Sequence, residues 1–193
     1  MMPALLSVQT ARARRVQIDG RSVLTAIHKQ TVAGPVEVAA MGLAGDEQAD
    51  LSVHGGLSKA VYAYPVEHYP FWLAERAKAG LTAIDEALPF GSLGENLTLQ
   101  GVLETGVWVG DVLQFAHCSL RVTEPRQPCY KFNAAMGFSG ASKTMAVKVC
   151  CGFYLAVDQA GTLSAGESFE LLPGPRRLSI SESFKAKMFK HLR

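Results

Sequence analysis

Apolar and polar residues alternate in short bursts along this chain, and glycine separates one burst from the next. Residues 5–9, 23–27, 36–39, 60–64, 96–99, 112–115, 119–123, 153–157 and 168–172 are rich in β-branched and aromatic side chains, a pattern that predicts strands. Residues 16–21 read as a further strand piece, separated from 5–9 by a basic turn. A glycine–acid step precedes several of these segments: Gly45-Asp46, Gly94-Glu95, Gly110-Asp111 and Gly166-Glu167. Such steps suit tight turns, because glycine tolerates positive φ and an acidic side chain can bond its own backbone. The alternation in 112–115 and 119–123 predicts a hairpin that leads into residues 123–133.

Two helical patterns interrupt the strands. The first covers 65–79, with Pro70 suited only to a first turn and Gly80 placed as a stop. The second follows near 142–149 and ends at Gly152. After Pro173-Gly174-Pro175 the character changes. Ser179 and Glu182 have capping-box spacing, and Phe184, Met188 and Leu192 fall on one face of a short amphipathic helix. That helix suits docking on its own domain or on a dimer mate. Many short strands with few helices predict a mostly β fold, a closed β-barrel, with a sandwich as the alternative. The domain is expected over 1–178, followed by a C-terminal helix over 179–193.

Composition narrows the partners. A hydrophobic share of 48% supplies a full core, and a formal charge of +2 is too small to imply nucleic acid. The clusters Arg12–Arg15 and Lys185–Lys187 read as solvated surface. No apolar run reaches the roughly 18 residues of a membrane span. The opening MMPALLSVQTARARR has an Arg-bearing, acid-free look, but two strand pieces explain it more simply. The four cysteines, Cys118, Cys129, Cys150 and Cys151, form no secreted-type framework, so a reducing cytoplasm is the expected location.

The chemistry concentrates in three stretches. Residues 123–133 (TEPRQPCYKFN) set Cys129 between Arg126 and Lys131 in a loop stiffened by Pro125 and Pro128. Nearby cations favour thiolate, the form that attacks electrophiles or ligates metals; an inert cysteine in a turn is the alternative. Residues 45–56 (GDEQADLSVHGG) place Asp46, Glu47, Asp50 and His54 among glycines, with Gly55 and Gly56 able to form an anion nest or an ordinary loop. Residues 91–97 (GSLGENL) run through a glycine turn into Glu95 and Asn96. Lys29 is a candidate for phosphate contact or a solvated side chain. No CxxC pair, GxSxG elbow, GxxxxGK[ST] loop or GxGxxG fingerprint is present.

Taken in order, GDEQADLSVHGG, KAVYAYPVEHY, GENLTLQG and the TEPRQPCYKFN loop resemble the MOSC family, named from the C-terminal domain of molybdenum-cofactor sulfurase. The likeness runs from about residue 5 to 172 and is strongest to the bacterial stand-alone branch of YiiM type. It implies a β-barrel, a molybdenum cofactor (molybdopterin), and Cys129 as the protein's sulfur ligand to the metal. It implies reduction of N-hydroxylated compounds, including hydroxylamino-purines, with His54 beside Cys129 in catalysis. Lys29, Gly55, Gly56, Glu95, Asn96, Arg126, Lys131 and Asn133 match positions that hold the cofactor. Longer relatives carry a three-helix module after the barrel, of which one helix is expected here. Residues 146–152 (AVKVCCG) also depart from the family's usual polar-glycine turn.

Three readings share the same thiol: a molybdenum-dependent reductase, a persulfide carrier using Cys129, and a non-catalytic cofactor carrier. The reductase is favoured, because the aminotransferase-like, pyridoxal phosphate-dependent domain that supplies sulfur in sulfurases is not part of the pattern. Without a dinucleotide fingerprint or iron–sulfur spacing, electrons are expected from a separate flavin-bearing reductase.

Overall fold

The computed structural model describes residues 2–49, 55–81 and 86–189. The chain opens with β1 (Ala4–Thr10), the hairpin β2 (Arg14–Ile18) and β3 (Arg21–Thr25), then β4 (Gln30–Thr31), β5 (Val36–Ala39) and β6 (Gly42–Leu43). Next come β7 (Val61–Pro65), α1 (Tyr69–Lys78), β8 (Leu97–Gln100), β9 (Val112–Gln114) and β10 (Ser119–Pro125). Helices α2 (Tyr130–Met136) and α3 (Ala141–Lys148) precede β11 (Phe153–Gln159), β12 (Gly161–Leu163), β13 (Glu170–Leu172) and α4 (Ile180–Met188). The fold is mostly β, as the alternation predicts. No helix among the described residues is long and apolar enough to cross a membrane.

Eight strands form the main sheet in the order β13-β9-β10-β11-β7-β8-β1-β4. The pairs are antiparallel except β7–β8, whose parallel crossover runs through α1. The expected β9–β10 hairpin is present, with Ser119 opposite Gln114. The expected closed barrel is not: β13 and β4 end the sheet and do not pair with each other. The predicted strand 168–172 divides instead. Ser168 bridges Ala4 of β1, whereas Glu170–Leu172 pair with β9. Leu5 N donates to Glu167 O, and Gly166 N donates to Leu5 O, so the sheet curls until its flanks touch without a continuous ladder. Beyond β13, Pro173 and Pro175 bring no backbone donors to extend it.

Helix α1 starts where Pro70 can be tolerated, and its inner face seals Tyr69 and Trp72. Immediately after Cys129 the chain turns into α2, a helix that the sequence pattern did not predict, since Tyr130 to Asn133 read as loop. It closes at Gly137, whose φ of 81° is the left-handed conformation that glycine adopts without penalty. Phe132 and Met136 face inward, and Trp72 meets Phe132 edge-on at 5.4 Å. Helix α4 has the predicted capping box, in which Ser179 Oγ accepts from Glu182 N and Glu182 Oε2 accepts from Ser179 N. It buries Ile180 and Phe184 in the common core and docks against β10. Leu192 lies outside the described residues.

The Cys150-Cys151 turn is pinned to β7. Tyr64 Oη donates to Cys150 O at 2.9 Å and Tyr62 Oη donates to Cys151 O at 2.8 Å. Gly152 N then donates to the buried Glu104 Oε1 at 2.8 Å. Helix α3 ends before this turn at Val149, not Gly152, with Val149 itself at φ 60°. Gly152 has φ 61°, and a Cβ there would lie 2.4 Å from Ala63 O on β7. Backbone cannot yield as a flexible side chain can. Gly152→Ala should therefore lower stability by about 2–4 kcal/mol. Gly20→Ala, at positive φ but with nothing within 4 Å of the new methyl, should lose only about 1 kcal/mol. Equal losses for the two variants in chemical denaturation would refute the close-packing account.

Candidate functional site

A cleft opens where the segment after β3, the turn after β6, the Gly91–Gly94 loop and the β10–α2 connection converge. Strand β10 ends at Pro125, and the next residue, Arg126, is folded inward with 6% of its surface exposed. Its guanidinium lies 5.0 Å from the Tyr62 ring and 4.7 Å from the Phe132 ring. Nη1 donates to Leu93 O at 3.2 Å. No carboxylate among the described residues comes within ion-pair distance of this cation. An anion entering the cleft would supply that counter-charge.

Cys129 follows Pro128 in extended backbone (φ −135°) as the N-cap of α2 and lines the cleft half-buried. Its carbonyl accepts from Ser142 Oγ at 3.0 Å, tying the cysteine turn to α3. The other three thiols are fully buried. Burial, with Glu167 nearby, pushes Cys118 up to about 11; burial, with Glu104 nearby, pushes Cys150 up to about 12. Burial also raises Cys151 well above its usual range, with Glu104 adding to the effect. Thiolate chemistry near neutral pH is thereby closed to all three. Lys131 also lines the cleft, and its Nζ donates to Leu24 O at 3.1 Å.

Lys29 reaches the cleft floor already paired. Its Nζ lies 2.5 Å from Asp46 Oδ1, with side chains 8% and 9% exposed, and the same oxygen accepts from Ala11 N at 2.8 Å. Burial lowers the Lys29 pKa from its usual value, and Asp46 opposes that shift. The glycines of the 91–94 loop press this floor into place. A Cβ on Gly94 would lie 2.7 Å from Ile27 Cγ1, and one on Gly91 would lie 3.0 Å from Lys29 O. Glu95 organises the loop from beneath, accepting from Tyr69 Oη, Gly91 N, Leu93 N and Thr98 Oγ1. Burial raises its pKa, while these hydrogen bonds hold it down. Glu95 is therefore a brace behind the cleft and does not line it. Asn96 lines it but is committed, accepting from Tyr62 N and donating to Gln9 O.

Other expected positions fall elsewhere. Gly56 has φ 93°, and its N–H, offered by the sequence to an anion nest, donates to Gln48 Oε1 at 2.7 Å. Gly55 is next to it and outside the cleft lining. Asn133 sits on α2, accepting from Ser142 N, beside a separate shallow groove that also includes Tyr130 and Phe138. His54 lies outside the described residues. Tyr62 and Tyr154 form cleft walls that sequence reasoning missed. The alternating VYAYP pattern marked strand β7, but only the sheet's curvature decides which face becomes a cleft. Lys59 also lines the cleft, 3.9 Å from Glu124, which in turn pairs with Lys187 of α4 at 2.6 Å.

The donor set suits one kind of metal group. No cluster of three or more His, Cys, Asp or Glu side chains able to hold a metal ion occurs among the described residues. A bare ion would be poorly held, whereas a metal that brings ligands of its own needs one thiolate and cations for its anionic parts. Cys129, with Arg126 and Lys131 beside it, offers that combination. The residues therefore fit a molybdenum cofactor.

Comparisons with known proteins identify the family. The family model described as MOSC domain matches residues 50–170. An uncharacterized Bacillus subtilis protein, YflK, is 35% identical over 182 residues, covering 92% of this chain and 77% of its own length. YiiM of Escherichia coli is 33% identical over 159 residues, covering 82% of this chain and 69% of its own length. A protein of Gibberella moniliformis named "Reductase" is 33% identical over 172 residues, and this chain matches 29% of its length. Among solved structures, YiiM from Geobacillus stearothermophilus superposes with a TM-score of 0.77 at 28% identity, over 99% of this chain and 86% of the other. The chain belongs to the MOSC domain family and is YiiM-like within it.

Proposed function

We propose that this protein is an oxidoreductase that holds a molybdenum cofactor through Cys129 and reduces N-hydroxylated compounds, hydroxylamino-purines among them. One observation carries the reading. Of four thiols, only Cys129 opens into a cleft, and that cleft contains a buried arginine with no carboxylate in ion-pair distance among the described residues. The fungal relative named "Reductase" supports the reaction class. When bound, the cofactor supplies two-electron redox chemistry at its metal.

The chain's own part is placement and charge. Arg126, clamped by Tyr62 and Phe132, offers a fixed guanidinium to an anionic group of the cofactor. Lys131 adds a second cation at the other side of Cys129. The Tyr62 and Tyr154 rings wall the cleft, and burial raises both phenols, so they remain neutral surfaces for a planar ligand. The persulfide-carrier and cofactor-carrier readings use the same thiol. Molybdenum and pterin assay of protein purified from a molybdopterin-competent host separates the first of these from the proposal, and turnover separates the second.

Cys129→Ser should abolish bound molybdenum and turnover while the fold survives, with a melting temperature equal to that of the cofactor-free wild type, because serine is a hard and poorly ionised ligand. Cys118→Ala should keep the metal. Full turnover by Cys129→Ser would sink the assignment.

Lys131→Ala should weaken cofactor retention by about 1–3 kcal/mol, roughly tenfold to a hundredfold. The loss should appear as lower pterin occupancy without a lower melting temperature of the cofactor-free protein, since the Lys131 ammonium is held by the Leu24 carbonyl in an exposed hydrogen bond. Normal occupancy would remove Lys131 from the site.

Turnover of an N-hydroxylated base should require an added flavoprotein reductase or artificial donor. The reaction consumes two electrons, and the chain has no dinucleotide fingerprint to take them from NADPH. Activity with NADPH alone would contradict this.

A further inference from the structure

Reduction of R–NH–OH to R–NH2 and water takes up two electrons and two protons. The N–O bond breaks, one proton joins the departing hydroxyl to make water, and the other joins nitrogen. The electrons come from an external flavoprotein-class reductant, so the chain itself must provide a proton donor inside the cleft. Arg126 cannot serve, because a guanidinium does not release its proton at working pH. Lys131 leans outward to Leu24 O on the β2–β3 hairpin, and the Lys59 side chain is 25% exposed beside Glu124.

Lys29 differs from these. Its side chain is 8% exposed, it is held by a carboxylate that is itself 9% exposed, and both line the cleft with Cys129. Asp46 Oδ1 is fixed in turn by Ala11 N, so the ammonium is aimed by a rigid partner. The glycine loop packs against the Lys29 carbonyl and Ile27, fixing the backbone from which the side chain projects. We propose that Lys29, oriented by Asp46, is the acid that protonates the departing oxygen. This assignment rests on the N-hydroxyl reductase reading above. The proton passes from Nζ to the oxygen and the neutral amine keeps its hydrogen bond to Asp46; solvent entering at the cleft mouth restores the proton on Lys29 and supplies the second one to nitrogen. The pair is neutral overall before transfer, so Lys29 does not compete with Arg126 and Lys131 for the cofactor's negative charge.

The pH behaviour follows from the groups around Lys29. Asp46 faces it from the turn after β6, Glu95 from the loop before β8 and Arg126 from the connection after β10; Glu47, Lys59 and Lys131 complete the cleft's charges. Burial lowers the Lys29 pKa, Asp46 and Glu95 raise it, and Arg126 lowers it again, for a net downward shift. The acid form is the working form. Turnover should therefore fall as pH rises through a value below the usual lysine value of about 10.4. Removing the Asp46 carboxylate should bring that limb to lower pH still.

The test has two arms. In cofactor-free protein carrying 13C-labelled lysine, the Lys29 Cε resonance, identified by its loss in Lys29→Arg, is titrated by NMR. A midpoint below about 10.4, and lower again in Asp46→Asn, is expected; a midpoint at or above it overturns the proposal. In cofactor-loaded protein, Lys29→Arg should reduce kcat about 10²–10⁴-fold with KM and molybdenum content unchanged. Asp46→Asn should move the alkaline limb of kcat to lower pH. If Lys29→Arg keeps the wild-type kcat while the wild type holds molybdenum and reduces the substrate, the acid assignment fails and the functional reading stands. If Lys29→Arg loses the metal instead, Lys29 is a cofactor contact, and the proposal is likewise overturned. Wild-type protein that holds no molybdenum defeats the functional reading and this assignment together.

Discussion

The site depends on a cation that is almost wholly buried at the wall of a cleft. Arg126 is buried against Tyr62 from β7 and Phe132 from α2, and it donates to Leu93 O in the glycine loop. Three separate parts of the chain thus meet at one guanidinium. Burying a charge is costly unless it is matched, and here aromatic rings, tyrosine side chains and the Leu93 carbonyl surround it with no carboxylate in ion-pair reach among the described residues. The remaining demand is directed into the cleft, next to the one thiol that opens there. The same contact locks the β10–α2 connection in which Cys129 sits, so the geometry of the cysteine and the charge beside it have one structural origin.

Charge in the cleft is divided between groups that are already satisfied and groups that are not. Lys29 has a buried carboxylate at 2.5 Å, and Glu95 is saturated by four donors behind the loop. Arg126 donates to Leu93 O and Lys131 to Leu24 O, and neither forms an ion pair with a carboxylate among the described residues. This division separates residues that look alike in sequence: Glu95 braces the glycine loop, whereas the anion-binding part proposed for Arg126 and Lys131 and the proton-donating part proposed for Lys29 draw on their different partners. Helix α4 reaches the same region through Lys187 and Glu124, which connects the C-terminal element to the cleft rim by a partly exposed pair of modest energy.

Burial also separates the four cysteines. Cys118, Cys150 and Cys151 are enclosed by core side chains, and their thiols are held protonated. The Cys150-Cys151 turn acts through its carbonyls, which receive the hydroxyls of Tyr62 and Tyr64. Tyr62 therefore serves both sides of β7: its hydroxyl anchors the turn, and its ring supports Arg126 and walls the cleft.

Local pattern alone was sufficient for most of the longer strands, the Pro70 start of α1, the β9–β10 hairpin and the α4 capping box. Each of these is set by interactions within a few residues, where alternation, proline and capping rules operate. Helix α2 escaped notice because its seven residues are too short for a clear helical period, and its stability comes from burying Phe132 and Met136. The open edge between β1 and β13 was likewise hidden, since strand count predicts a sheet but not whether its last ladder closes. The pairing of Lys29 with Asp46, the withdrawal of Glu95 behind the loop and the cleft-facing walls of Tyr62 and Tyr154 all join residues far apart in the chain. Only the tertiary structure decided them, because burial and partner choice depend on which distant segments the curled sheet brings together.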